Sequence, residues 1–287
     1  MRAFAQRKGI PYFLLLPGLL WLFVFFVVPM GFMFGISLYE GSLDTTFEFT
    51  WNWDNYSDAL TNYDTQFFRS FLYAGVATLL CLLLAYPLAY AIAFKAGKYR
   101  SVLLFLVVAP FFTTYLIRTY AWQTMLSNDS FVVDTMRSLG LVDTGVLKTP
   151  GAVIAGLTYN FLPFMILPIY ASLEQMDKRL IEAGRDLYSS SRTAFRKITL
   201  PISMPGVIAG TMLTFIPAVG DYVNATFLGS TNQAMIGNVI QSQYLVTKDY
   251  PVAAALSFTM MAVIVALVLV YIKFAGSESL MGEDRAL

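Results

Sequence analysis

Long stretches without a charged residue, separated by short polar connections, dominate the chain of 287 residues. The first covers residues 10–39 and contains no Asp, Glu, Lys or Arg. Others follow at 69–94, 101–126, 149–173, 203–222 and 250–272. Their only charges are Arg69 at the start of the second, Arg118 inside the third and Asp221 near the end of the fifth. A helix needs roughly 20 apolar residues to cross about 30 Å of hydrocarbon at about 1.5 Å per residue. The pattern predicts an all-α membrane protein with six transmembrane helices in a single transmembrane domain over 1–287. The first run is too long, too aromatic and too poor in small residues for a simple signal peptide, so it is expected to be a retained span.

Residues 222–247 are also uncharged but carry Asn224, Asn232, Gln233, Asn238, Gln241 and Gln243. In hydrocarbon that many polar side chains would lack partners. This segment is predicted to be an extramembrane loop with a short helix near 235–246, lying at the interface or against the other spans. Prolines at 87, 110, 163, 168 and 217 interrupt the spans. Each removes a backbone donor, so they read either as bends lining a cavity or as ordinary packing geometry.

Composition narrows the function. The chain is 57% hydrophobic and 13% charged, against about 25% charged in soluble domains, which excludes a water-soluble enzyme. A net charge of +1 speaks against a nucleic-acid partner. Histidine is absent, which removes His-based zinc sites, Ser-His-Asp triads and His proton relays together. Cys81 is the lone cysteine, expected as a small packing residue, and no G-x-x-x-x-G-K-[ST] loop is present to bind ATP.

The charges are distributed unevenly. Arg2, Arg7, Lys8, Lys95, Lys98, Arg100, Lys178, Arg179, Arg185, Arg192, Arg196, Lys197, Lys273 and Arg285 all fall on one side of a six-span arrangement. The opposite side opens with Glu40, Asp44, Glu48, Asp54, Asp58 and Asp64, without an intervening Lys or Arg. The positive-inside rule places both termini in the cytoplasm. The connection 174–201 is then a cytoplasmic hairpin of two short amphipathic helices. Asp177 caps the first, whose apolar face is Leu180, Ile181, Gly184 and Leu187; the second carries Ala194, Phe195 and Ile198 and ends before Pro201. Its apolar surface reads either as a partner surface or as part of a solvated connection.

Within this hairpin, Glu182-Ala183-Gly184, Tyr188 and Ile198-x-Leu200-Pro201 keep the spacing E-A-A, three residues, G, nine residues, I-x-L-P. This resembles the signature loop of ABC importer permeases, with Gly184 in place of the second Ala and Tyr188 in place of Gly. Ala109-Pro110-Phe111-Phe112, Leu116 to Tyr120, Leu162 to Met165, Met204 to Gly210 and Ile236 to Ile240 extend the resemblance to the spermidine/putrescine permease branch. The resemblance implies a multi-pass subunit of the bacterial cytoplasmic (inner) membrane that takes up polyamines and is not itself an enzyme. It implies pairing with a second permease subunit, two cytoplasmic ABC ATPase subunits that bind ATP and Mg, and an extracytoplasmic substrate-binding protein. The chain itself would carry no cofactor. Glu182, Ala183, Gly184, Tyr188, Ile198, Leu200 and Pro201 would form the coupling helix that enters a cleft of the ATPase. A permease for another small solute, an ion-gradient-driven carrier and a membrane scaffold are the alternatives.

Intramembrane charge is costly and so points to function. On straight helices Arg118, 17 residues past Ser101, and Asp221, 16 past Pro205, lie about 26 Å and about 24 Å along their spans, near the outer boundary. They are expected either to snorkel or pair with each other, or to leave Asp221 attracting a cation in an outer vestibule. Tyr120, Trp122, Tyr159 and Tyr222, with Tyr115, would supply rings for alkylammonium groups or form an interfacial belt. No metal site is expected.

Overall fold

Because lipid cannot satisfy backbone polar groups, each apolar run must close its own hydrogen bonds, and helix is the local solution. The computed structural model describes residues 10–42, 46–140, 142, 145–177, 179 and 190–280. Among them, five helices are long and apolar enough to cross a membrane: Leu15–Ser37, Asp64–Phe94, Pro150–Glu174, Arg192–Val219 and Tyr250–Lys273. A bent pair, Gly97–Phe112 and Tyr115–Met125, makes a sixth if counted as one span. The chain divides into two compact units, Met1–Tyr63 with Ile240–Met261, and Asp64–Val239 with Ala262–Leu287.

In the first unit, α1 (Ile10–Leu22) passes through a π turn at Phe23–Val27 into α2 (Val28–Ser37). The π turn lies just before Pro29, where a wider turn accommodates the missing N–H and the ring. None of the most apolar stretch of this span is buried within the chain. A hairpin follows, β1 (Tyr39–Ser42) antiparallel to β2 (Thr46–Phe49), pairing Tyr39 with Phe49 and Glu40 with Glu48. This is a departure from the all-α expectation. Its basis is the alternation Thr46-Phe47-Glu48-Phe49, aromatic and polar at a period of two. On α3 (Asp54–Asn62), Asn55 Nδ2 donates to the carbonyls of Ser37 and Tyr39, both at 2.9 Å, satisfying groups the end of α2 leaves open.

The second unit is built on three helices in mutual contact: α4 (Asp64–Phe94), α8 (Pro150–Glu174) and α9 (Leu200–Val219). Between α4 and α8 the chain forms α5 (Arg100–Val108), α6 (Tyr115–Met125) and α7 (Phe131–Ser138). Helix α8 is the central one, with 61% of its most apolar window buried. Lipid tails are as apolar as leucine, so helices in a membrane associate through close packing rather than solvent exclusion. A single atom pair contributes only about 0.1–0.2 kcal/mol, so the contact must be long and tight. Ser70, Ala74, Ala77, Cys81, Ala85 and Ala89 are buried along α4, and Leu157, Met165, Ile169 and Leu173 along α8. Cys81 is the packing residue expected, and its Sγ donates to the Thr158 carbonyl at 3.3 Å. Gly206 and Gly210, spaced small-xxx-small, let α9 approach α8. A Cβ on Gly206 would stand 2.5 Å from the Pro168 carbonyl oxygen, and one on Gly210 2.9 Å from Met165 Sδ.

Three features correct the straight-helix picture. The third span tightens to a 3-10 turn at Ala109–Phe112, where Pro110 lacks a donor; Thr113 and Thr114 are extended, and the two halves meet at 94°. The depth of Arg118 along a straight helix therefore does not hold. Second, the helix predicted to end before Pro201 does not end there. Ser191–Ala194 and a π turn at Phe195–Thr199 run into α9, with Pro201 in its first turn, where a missing N–H costs little. Ala194 is buried and the ring of Phe195 lies 5.6 Å from Tyr86 and 6.2 Å from Tyr90, so this face packs on the chain's own α4. Third, residues 222–247 hold α10 (Val223–Leu228) besides the short helix expected near 235–246, here α11 (Ile236–Ser242), and Asn224, Leu228, Met235 and Ile236 are buried. The last element is α12 (Tyr250–Leu280).

Candidate functional site

Asp221 follows the C-terminus of α9, where Gly220 closes the helix. Its backbone is held from α11: a Cβ on Gly237 would lie 2.5 Å from the Gly220 carbonyl oxygen, so only glycine permits this approach. Helix α11 is fixed in turn by the Ile236 amide donating to Ser70 Oγ at 2.7 Å and by Arg69 Nη1 donating to the Ala234 carbonyl at 2.8 Å. Asn238 Nδ2 donates to the Tyr222 carbonyl at 3.0 Å and to Thr226 Oγ1 at 2.8 Å. The amides that make this segment look extramembrane are thus spent on its own turns.

The Asp221 carboxylate is 8% exposed and accepts from the Asn224 amide at 2.8 Å through one oxygen and from the Tyr115 hydroxyl through the other. Asn224 Nδ2 donates to the same Tyr115 hydroxyl oxygen at 2.6 Å, and Asn160 Nδ2 donates to Asn224 Oδ1 at 3.2 Å. Three polar residues, Tyr115 from α6, Asn160 from α8 and Asn224 from the start of α10, are therefore linked in one network to the carboxylate. Gly156 on α8 makes room for Asn224, whose Oδ1 would lie 2.7 Å from a Cβ at that position. Among the described residues Asp221 has no ion pair; the pairs present are Arg100–Glu174 and Arg137–Asp134.

Arg118 does not pair with Asp221. Its guanidinium lies 5.4 Å from the ring centroid of Phe111 and 5.6 Å from that of Tyr115, and its Nε and Nη1 are buried without a hydrogen-bond partner. Trp122 and Tyr159, rings 5.4 Å apart, share a cavity of about 320 Å³ with it. Tyr120 and Tyr222 are 61% and 42% exposed and stand outside the Asp221 network. Sequence reasoning selected Asp221 but missed Asn160, Asn224 and the bridging part of Tyr115. An asparagine in the middle of an uncharged span and another three residues after Asp221 were the available signals. Of the expected coupling residues, Ile198 lies in the π turn before α9, and Leu200 and Pro201 in its first turn. Glu182, Ala183, Gly184 and Tyr188 lie outside the described residues.

No protein-family profile matches the chain. Its fold is similar to that of a chain in the crystal structure of a bacterial ABC transporter involved in the import of the acidic polysaccharide alginate. The TM-score is 0.69 at 19% identity, over 95% of this chain and 96% of that one. A structure of a bacterial alginate ABC transporter in complex with an alginate pentasaccharide-bound periplasmic protein matches equally, with a TM-score of 0.69 at 18% identity over 95% and 94%. These two likenesses show the fold, one found in bacterial ABC transporters. In sequence the chain is 38% identical to the spermidine/putrescine transport system permease protein PotB of Escherichia coli over 257 residues, 88% of this chain and 92% of PotB. The PotB of Haemophilus influenzae is 36% identical over 259 residues, 88% and 89% of the two chains. The chain belongs to this family of spermidine/putrescine transport permeases, as a multi-pass subunit of the bacterial inner membrane.

Proposed function

We propose that the chain is one half of the membrane passage of an ATP-driven polyamine importer, with Asp221 as the group that attracts the cation. The observation carrying the cation role is the carboxylate itself: buried, positioned by Tyr115 and Asn224, and without an ion pair among the described residues. A carboxylate has about four lone-pair sites, so two remain for an ammonium group. Burial of an uncompensated charge is costly, and an arriving cation relieves that cost. The exposed rings of Tyr120 and Tyr222 would offer faces to the alkylammonium chain. Arg118 repels such a chain, so the cavity it shares with Trp122 and Tyr159 is set apart from the passage.

Both termini and the connection 174–201 would lie in the cytoplasm, with a second permease subunit alongside and two ATPase subunits below. The chain would hold no cofactor, and ATP and Mg would bind to the ATPase subunits. The hairpin from Glu182 to Tyr188, continued through Ile198, Leu200 and Pro201, would transmit the motion of the ATPase into α9, which is joined to it without a break from Ser191 onward. An extracytoplasmic binding protein would deliver the substrate, as the periplasmic protein accompanies the alginate transporter.

The test is reconstitution of the whole transporter in liposomes with its binding protein. Labelled spermidine or putrescine is expected to accumulate only when ATP is supplied on the ATPase side. ATP-driven uptake of another solute but of neither polyamine would overturn the substrate assignment. Accumulation by the isolated chain without ATP would overturn the importer reading altogether.

A further inference from the structure

We propose that Arg118 and the groove beside it hold a phospholipid, the phosphate against the guanidinium and one acyl chain in the groove. Arg118 is 8% exposed, yet Nε and Nη1 have no hydrogen-bond partner among the described residues. The rings of Phe111 and Tyr115 offset part of the charge but accept no N–H in the plane of the guanidinium. A buried guanidinium left this way calls for an oxyanion, and its fork matches a phosphate with two parallel hydrogen bonds.

The cavity that Arg118 faces also presents Thr113, Ile117, Trp122 and Tyr159. Tyr159 lines a second cavity as well, also of about 320 Å³, whose walls are Leu88, Leu103, Leu106, Val107, Pro110 and Leu162. A compartment holding one cation thus adjoins an apolar one across a single tyrosine, the first lined from Thr113 onward and the second up to Pro110, on either side of the bend in the third span. An amphiphile with an anionic head and a hydrocarbon tail fits both. Phe112, Leu116 and Ile117 around the site are 80%, 55% and 60% exposed, so the chain's own residues leave the site open on that side. A free phosphate would satisfy Arg118 but leave the groove unfilled, and a fatty chain alone would do the reverse.

The experiment is native mass spectrometry of the intact transporter released gently from membranes, followed by add-back of dioleoyl phosphatidylglycerol to delipidated complex. The wild-type complex is expected to retain and rebind one phospholipid that Arg118→Gln holds about tenfold less well, as removing a charge-assisted hydrogen-bond donor dictates. Leu106→Trp, which fills the groove and leaves the guanidinium intact, is expected to lose the same lipid, and it decides the matter alone if Arg118→Gln fails to assemble. Retention of the lipid by either assembled variant overturns the proposal. So does competition by inorganic phosphate at equal concentration, or a wild-type complex in which a carboxylate of the second permease subunit, found by cross-linking from Ile117→Cys, occupies Arg118.

Discussion

At the scale of single residues, the charge of Asp221 and its hydrogen bonds can be separated. Asparagine keeps one oxygen to accept from the Asn224 backbone amide, and its Nδ2, in place of the second oxygen, turns the Tyr115 hydroxyl from donor to acceptor, so Asp221→Asn removes the charge while the side chain keeps two partners. If the carboxylate serves only to hold α10 on α9, the variant will assemble and transport like the parent. If it draws a cation, the KM for spermidine should rise about ten- to hundredfold, the loss expected for a hydrogen bond to a charged group of about 1.5–3 kcal/mol. The measurement is initial uptake against spermidine concentration in the reconstituted transporter, with the thermal midpoint of the complex as control. An unchanged KM removes Asp221 from the passage. Arg118 shows why opposite charges in one region of sequence do not make a pair: Tyr115 touches both, its ring under the guanidinium and its hydroxyl on the carboxylate.

At the scale of elements, spans were legible and their breaks were not. Uncharged runs identify helices because lipid forbids any other exposed backbone, and that constraint is visible residue by residue. Pro110 gives no such certainty: the same residue type sits inside α4 at Pro87 and inside α8 at Pro163 and Pro168 without ending either helix. In the segment 222–247 the short helix near 235–246 was legible but α10 was not, since its amides count as polar in the sequence whether they face water or, like Asn238, a carbonyl of the same segment. The approach of α9 to α8 was hidden because glycine spacing has meaning only once the facing residue is known. It yields a sharp expectation. At Gly210 even a Cβ would lie 3.1 Å from the Met165 carbonyl oxygen, whereas at Gly75 nothing stands within 4 Å. Gly210→Leu should destabilise the purified complex by about 1–3 kcal/mol, the usual cost of overpacking, while Gly75→Ala changes little. Thermal unfolding in one detergent compares the two, and equal midpoints would mean that the α8–α9 contact is loose.

At the scale of the whole molecule, the proposed cycle depends on which way the chain threads the membrane, and charge distribution alone supports the orientation. Lys and Arg are held back from translocation, so the side carrying Lys95, Lys98 and the basic hairpin should stay with the cytoplasm, and the acidic segment from Glu40 to Asp64 should emerge outside. Cys81 makes this easy to test, because it is fully buried between α4 and α8 and should be silent to a maleimide that cannot cross the membrane. Asp58 and Lys98 are both exposed and flank the span α4 in sequence, one before it and one after. In intact cells Asp58→Cys should label with the impermeant reagent and Lys98→Cys should label only after permeabilisation. The reverse pattern would set residues 174–201 outside, out of reach of any ATPase. The continuous helical path from Ser191 through Pro201 into α9 would then have no engine to connect to, and the Asp221 end of α9 would open toward the cytoplasm, as an exit instead of an entrance.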